Sequence, residues 1–297
     1  MSEPLISHVS DTAYLVAQHR AVESARADAL FVDPLAARLA GDRGRTIARA
    51  FRGGAMTGWV VAVRTRIIDE YVQQAIARGV DTIVNLGAGL DTRPYRLDLP
   101  ASLTWVEVDY PDMIAFKEQR LAGETARCRL QRVALDLAQV PARRRLLAEL
   151  DAGAKRMLIL TEGVVLYMDI ADVAALADDL RALSHVDSWI VDYISPESIA
   201  YRKRRGVDRQ MAAAPFKFEP PDWFKFFSDH GWRQREIRYL AEDGRRWGRR
   251  PPLPWMIRLV MTLTAPFTPA DRKGRFAKFS AYVLLEPAPP SGQNPPG

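Results

Sequence analysis

Short runs of strand length alternate with longer stretches of helical periodicity over most of this chain. The strand-like runs are Thr82–Leu86, Thr104–Val108, Leu130–Ala134, Met157–Thr161, Ser188–Tyr193, Trp232–Tyr239 and Ser280–Glu286. Helical spacing predicts helices over Thr12–Ala27, Trp59–Arg78, Pro111–Leu121, Ala142–Leu150 and Ile170–Leu183, with a short one at Arg93–Arg96 and another at Pro221–His230. Asp33-Pro34 reads as an N-cap with proline at the first helical position, opening Leu35–Ala40, and Gly79 as the stop of the long helix. Ser195–Gln210 is polar and basic, and Arg245–Pro254 reads as loop.

Strands alternating with helices imply parallel pairing through right-handed crossovers. The expected architecture is an α/β fold: a doubly wound, mostly parallel, seven-stranded Rossmann-like sheet with an N-terminal helical cap and an antiparallel C-terminal strand. Residues 1–80 would form the cap, 81–286 the core with an insertion at 195–254, and 287–297 a disordered Pro-rich tail. A ligand crevice is expected at the carboxyl ends of the first strands, where the winding reverses.

The chain has 297 residues, 48% hydrophobic and 26% charged, enough to bury a full core without staples. The N-terminus carries no signal-peptide pattern, and the apolar run Met157–Met168 is interrupted by Glu162 and too short to span a bilayer. Cys128 is the sole cysteine, which fits a reducing, cytoplasmic setting and reads as a small core residue. The four histidines are scattered, so no metal site is expected. The net charge is +6, with arginine clusters at 143–145, 202–205 and 245–250. They read as solvated faces, and nucleic acid is not the expected partner.

The candidate chemistry begins at Gly87-Ala88-Gly89, where the first strand ends in a turn that lets backbone approach a ligand closely. A dinucleotide fingerprint would add a third glycine three residues on; Thr92 stands there instead. Asp91 beside the turn would repel a pyrophosphate and suits a cofactor with an amine or cationic end. Asp109 ends the second strand twenty residues after Gly89, where a carboxylate can accept both hydroxyls of a ribose; its alternative is a helix cap. Asp136-Leu137 follows the third strand, placed to accept an exocyclic amine of adenine or to cap a helix. Glu162 ends the fourth strand inside an apolar run, a costly position unless it is paired. The Asn/Asp-Pro-Pro-aromatic signature of amino-methylating enzymes of nucleic acids is absent there. Arg64 and Arg66 point to different helix faces, so one at most lines the crevice, where an arginine can grip a carboxylate bidentately.

These residues resemble a known family. NLGAGLDTRPYRL, VEVDYPDM, Asp136-Leu137, TEGVVLYM and the opening AQHRAVESARADALFVDPLA look like the S-adenosylmethionine-dependent methyltransferases of the leucine carboxyl methyltransferase group, whose bacterial branch includes polyketide O-methyltransferases. The likeness covers roughly residues 13–193. It implies S-adenosylmethionine as cofactor, with Gly87 and Gly89 approaching its methionine part, Asp109 on the ribose and Asp136 with Leu137 on the adenine. Arg64 would hold the cofactor carboxylate and Glu162 would lie near its amino group; Arg20 would be a further basic contact from the cap. The implied reaction is O-methylation of a small-molecule carboxylate or hydroxyl, as in secondary metabolism. Tyr167 and Tyr193 are candidates for the acceptor pocket, and no catalytic base is assigned. The other readings are a nucleotide-cofactor oxidoreductase on the same fold, or a non-catalytic cofactor- or nucleic-acid-binding protein. The sequence leaves the oligomeric state open.

Overall fold

A computed structural model describes residues 6, 8–51, 53–205, 213–253, 255–256 and 277–289. Its sheet has seven strands in the order β3-β2-β1-β4-β5-β7-β6. They are β1 (Thr82–Leu86), β2 (Thr104–Asp109), β3 (Arg129–Ala134), β4 (Met157–Thr161), β5 (Val186–Ile194), β6 (Trp232–Tyr239) and β7 (Ser280–Pro287). β1 pairs in parallel with both β2 and β4, while β7 runs antiparallel between β5 and β6. The expected fold class therefore holds, and the switch point falls between β1 and β4.

Helices cover both faces of the sheet. They are α1 (Asp11–Ser24), α2 (Ala36–Ala50), α3 (Gly54–Ala77), α4 (Arg93–Arg96), α5 (Pro111–Arg120), α6 (Val140–Gly153), α7 (Ile170–Arg181), α8 (Pro196–Arg205), α9 (Trp223–Asp229) and α10 (Leu240–Arg246). On one face Val84, Val106, Ile159 and Trp189 pack with Leu147 of α6 and Leu176 and Leu180 of α7. On the other, Ile83, Trp105, Leu158 and Ile190 pack with Val63, Ile67 and Tyr71 of α3. Both faces are covered, which is why β1 and β4 read as nearly unbroken apolar runs.

The segment expected as a cap over residues 1–80 divides by what it touches. α3 belongs to the sheet layer, whereas Ala17 of α1 and Leu35, Leu39 and Ala40 of the α2 region pack on Leu90 of the glycine turn and Met113 of α5. The helical layer thus closes over the carboxyl ends of β1 and β2.

Several local expectations are corrected. Asp33 caps a turn rather than the regular helix, its Oδ1 accepting the Leu35 N–H at 3.2 Å. Its carboxylate is buried against Arg20, 3.0 Å from Nε, and accepts the Thr92 hydroxyl at 2.6 Å; the helix starts at Ala36. That helix runs on to Ala50, bent at Gly41, where φ is +56°. α3 begins at Gly54, ahead of Trp59. The basic stretch after β5 opens with α8, which has proline at its start and Glu197 in its first turn, both favourable there. Arg245 and Arg246, expected in a loop, close α10. Pro287 pairs opposite Trp232, and residues 290–297, read as a disordered tail, lie outside the described residues. Among the described residues no helix is long and apolar enough to cross a membrane, and no cluster of His, Cys, Asp and Glu is arranged to hold a metal.

Candidate functional site

A cavity of about 440 Å³ opens at the carboxyl ends of β1, β2, β3 and β4, and α1 forms its roof. That volume is within the range of small-molecule sites. Arg64, Gly87, Gly89, Asp91, Asp109, Asp136, Leu137 and Glu162 all line it, as does Arg20. One strand end after another delivers a residue to the same space, which is what parallel winding does with the loops that follow each strand.

The glycine turn is shaped by two positive φ angles, +69° at Gly87 and +46° at Gly89. A Cβ on Gly87 would lie 2.3 Å from Val164 Cγ2, so the turn and the loop after β4 fit only without a side chain there. The N–H groups of Gly87 and Ala88 donate to the Val108 carbonyl at 2.8 and 3.1 Å, fixing the turn against the end of β2. The Gly89 N–H donates to Asp109 Oδ2 at 2.6 Å, and the Tyr110 N–H to Oδ1 at 2.7 Å. Asp109 is 9% exposed; burial pushes its carboxyl above the ordinary range, while the two N–H donors pull it down. Each carboxylate oxygen keeps accepting capacity toward the cavity. Asp136 accepts the Ala138 N–H at 2.9 Å, and Arg143 Nη1 donates to the Leu137 carbonyl at 2.7 Å, fixing the loop after β3.

The floor is an ion cluster that sequence reasoning missed in part. Arg93, 1% exposed, donates from Nε to Asp69 at 2.7 Å and from Nη1 to Asp91 at 2.9 Å and Glu162 at 2.8 Å. Arg64 Nε lies 3.0 Å from the other Glu162 oxygen. Burial alone would raise the Glu162 carboxyl, but Arg93 and Arg64 outweigh it and hold the group below the usual range. The same opposition at Asp91, again led by burial and overcome by Arg93, holds it far below. Asp91 is thus met by Arg93, as Glu162 is by Arg93 and Arg64. Two polar atoms of this floor are buried without a hydrogen bond, Asn85 Oδ1 and Arg64 Nε. The Asn85 Nδ2 donates to Asp91 at 2.9 Å, leaving the Oδ1 as an open acceptor.

The other expectations fall to either side. Arg66 turns outward to Glu70 at 2.8 Å, so only Arg64 of the pair meets the cavity. Arg20 sits between Asp33 and the Leu90 carbonyl, tying α1 to the glycine turn. Tyr167 lines the cavity, but Tyr193 does not; it packs among Trp223, Phe224 and Tyr239. Cys128 is half-buried, and its thiol is pushed up to about 11 by burial and Glu107. Much of the basic excess is paired at home: Arg143 and Arg144 with Asp179, Lys203 with Glu219, Arg249 with Glu23 and Asp28.

Residues 13–181 match the family model described as leucine carboxyl methyltransferase. The chain belongs to that family. A relative from Parafrankia sp. (strain EAN1pec), provisionally named an S-adenosyl-L-methionine-dependent methyltransferase, is 34% identical over 77% of this chain and 78% of its own length. A similarly named protein of Mycobacterium marinum is 31% identical, covering 81% and 83%. Among solved structures, a provisionally named methyltransferase from Thermobifida fusca has a TM-score of 0.56 at 12% identity, covering 97% of both chains. A DUF574 family protein from Streptomyces avermitilis gives 0.51 at 17% identity, covering 92% of this chain and 97% of its own. These two likenesses concern the fold. Family membership makes the chain a methyltransferase, and the oxidoreductase and non-catalytic readings give way to it.

Proposed function

We propose that this enzyme transfers the sulfonium methyl of S-adenosylmethionine to an oxygen of a small molecule, a carboxylate before a hydroxyl. The methyltransferase class and the cofactor are those of its family. The acceptor class is our reading.

The observation that carries it is the donor set of the cavity. Three carboxylates, Asp109, Asp136 and Glu162, stand at or just beyond the carboxyl ends of β2, β3 and β4, and the turn below them has no fingerprint for a pyrophosphate. The set fits a cofactor with a ribose, an adenine and an ammonium but no phosphate. In this reading Asp109 accepts the ribose hydroxyls, and Asp136 with Leu137 engages the adenine. Gly87 and Gly89 allow close approach of the methionine arm. Glu162 and the open Asn85 Oδ1 face the ammonium, and Arg64 faces the carboxylate.

Bound there, the cofactor supplies an activated methyl group, so the protein's part is alignment and exclusion of water. α1 roofs the cavity and does the excluding. No histidine is among the lining residues, and Asp91 and Glu162 are held ionised by arginines. A carboxylate acceptor is already ionised at neutral pH and needs no base, which favours it over an alcohol.

The test uses cofactor carrying a labelled methyl group and a panel of small carboxylic acids, phenols and alcohols. A base-labile labelled product, a methyl ester, is expected. A base-stable ether from the phenols alone would overturn the carboxylate preference. Thermal denaturation with S-adenosylhomocysteine or NAD tests the cofactor separately: only the former should raise the midpoint.

A further inference from the structure

Behind the loop that follows β4 lies a buried carboxylate that the cavity does not touch. Asp192, near the carboxyl end of β5, is 4% exposed and is not among the cavity's lining residues. Its Oδ2 accepts the Gly163 N–H at 2.9 Å, and its Oδ1 accepts the hydroxyl of Tyr282, which is itself 3% exposed on β7. A charge placed this deep is retained only where donors meet it, and here two different elements supply them.

The peptide it holds is the hinge of the cavity wall. Gly163 takes φ +68° and turns the chain between Glu162 and Val164. On one side Glu162 joins Arg64 and Arg93; on the other, Val164 fills the space left by the missing side chain of Gly87. A small displacement of the Gly163 peptide would therefore move both the carboxylate and the apolar plug.

We infer that Asp192 is a positioning residue: with Tyr282 it anchors the Gly163 peptide, so that Glu162 and Val164 present a fixed wall to the methionine arm of the cofactor. This rests on the reading of the cavity given above.

The charged and titratable groups facing Asp192 are Arg64 from α3, Glu162 from the end of β4, Tyr167 from the turn beyond it, and Tyr282 from β7. Burial pushes the Asp192 carboxyl up to about 6, against the Tyr282 hydroxyl, Arg64 and the Gly163 N–H, which pull it down; Glu162 adds to the rise. The ionised carboxylate accepts from both donors, and such bonds are roughly twice as strong as neutral ones. When pH falls through that value the carboxyl gains a proton, its bond to Gly163 weakens, and the wall loosens. Cofactor affinity should then fall with falling pH.

The experiment is titration calorimetry of S-adenosylhomocysteine between about pH 5 and about pH 8 on the wild-type chain, Asp192→Asn and Tyr282→Phe. Wild-type affinity should fall several-fold toward the acid end. Asp192→Asn should bind about tenfold more weakly at neutral pH and lose this acid-side fall. Tyr282→Phe keeps the carboxylate but removes one donor, so the midpoint of the fall should move upward. Titration of Asp109 is common to all three proteins and cancels in the comparison. A role in stability alone would lower the unfolding midpoint and leave the pH profile in place. A folded Asp192→Asn with wild-type affinity and profile overturns the inference; if that variant does not fold, an unshifted midpoint in Tyr282→Phe does so. A wild-type chain that binds no S-adenosylhomocysteine at any pH overturns the cofactor reading itself, which is a different result.

Discussion

Two buried ion clusters flank the glycine turn, and only one of them meets the cavity. In the first, Glu107 of β2 accepts Lys117 Nζ at 2.7 Å on one oxygen and Arg132 Nε at 2.9 Å on the other. Glu107 and Lys117 are both fully buried, and neither they nor Arg132 line the cavity. In the second, Arg93 gathers Asp69, Asp91 and Glu162, and Arg64 closes on Glu162 from α3. Here Arg64, Asp91 and Glu162 line the cavity, and Arg64 Nε and Asn85 Oδ1 are left without hydrogen bonds. The carboxyl groups respond differently too. Burial wins at Glu107 and raises it in spite of Lys117 and Arg132, whereas the two arginines win at Glu162 and lower it. Burial, pairing and a shifted titration are thus common to both clusters and do not mark a site by themselves. Unused hydrogen-bonding capacity facing a cavity distinguishes the second.

The largest effect is expected from removing the centre of the second cluster. Arg93→Leu takes from Asp91 its ion pair, leaving only the more distant charges of Lys117, Arg20 and Arg96, and leaves Glu162 with only Arg64. Breaking a buried pair from one side costs about 3–5 kcal/mol, so urea unfolding should show a loss of that size or failure to fold. Any folded fraction should have lost most of its affinity for S-adenosylhomocysteine. Retained affinity would mean that the cluster is scaffolding, like its neighbour.

The converse change is Lys117→Met. Glu107 would keep only Arg132, and stability should fall by about 3 kcal/mol. Affinity for S-adenosylhomocysteine, measured well below the unfolding midpoint, should fall far less than it does in Arg93→Leu, since no atom of the cluster lines the cavity and Lys117 reaches Asp91 and Asp109 only through its charge. A parallel loss of affinity would show that the two clusters act as one and that the distinction drawn between them fails.

The second cluster was only half legible in the sequence, for a physical reason. Asp109, Asp136 and Glu162 stand out because each is a carboxylate at or just after the end of a strand-like run, and the pattern of the run says where the strand stops. Arg93 carries no such mark. Its partners lie 24 residues back at Asp69 and 69 residues on at Glu162, and only folding shows that one guanidinium serves both. Asp33 was also half legible: its Oδ1 accepts the Leu35 N–H, the local bond that Asp-Pro signals, but the ion pair with Arg20 and the bond from Thr92 on Oδ2 come from distant parts of the chain. α8 was missed because Tyr201-Arg202-Lys203-Arg204 offers no apolar stripe to read. The strands were legible because β1 and β4 are buried on both faces.

Asp109→Ala acts at the cavity itself. The change removes the acceptor of the Gly89 N–H and, in the proposed site, of the ribose hydroxyls. Bonds to charged groups are worth roughly 1.5–3 kcal/mol, so affinity for S-adenosylhomocysteine should fall by one to two orders of magnitude. Unchanged affinity in a folded variant would remove Asp109 from the site and leave its carboxylate as a clamp on the turn.

The smallest effect is expected at Tyr193, and it tests whether facing the cavity is the right criterion. Tyr193 stands near the carboxyl end of β5, one residue beyond Asp192, at the edge where the cavity opens. By position along the chain it belongs to the site; by geometry it does not. Its ring packs edge-on to Trp223 at 5.5 Å and against Phe224 at 5.3 Å, away from the lining. Tyr193→Phe keeps that ring packing and deletes only a hydroxyl. Stability should therefore move by no more than about 0.5 kcal/mol, and cofactor affinity and turnover should stay at wild-type values. A selective rise in KM for the acceptor, with cofactor affinity intact, would place the hydroxyl on the acceptor's path and show that facing the cavity is too narrow a test for the residues at this edge.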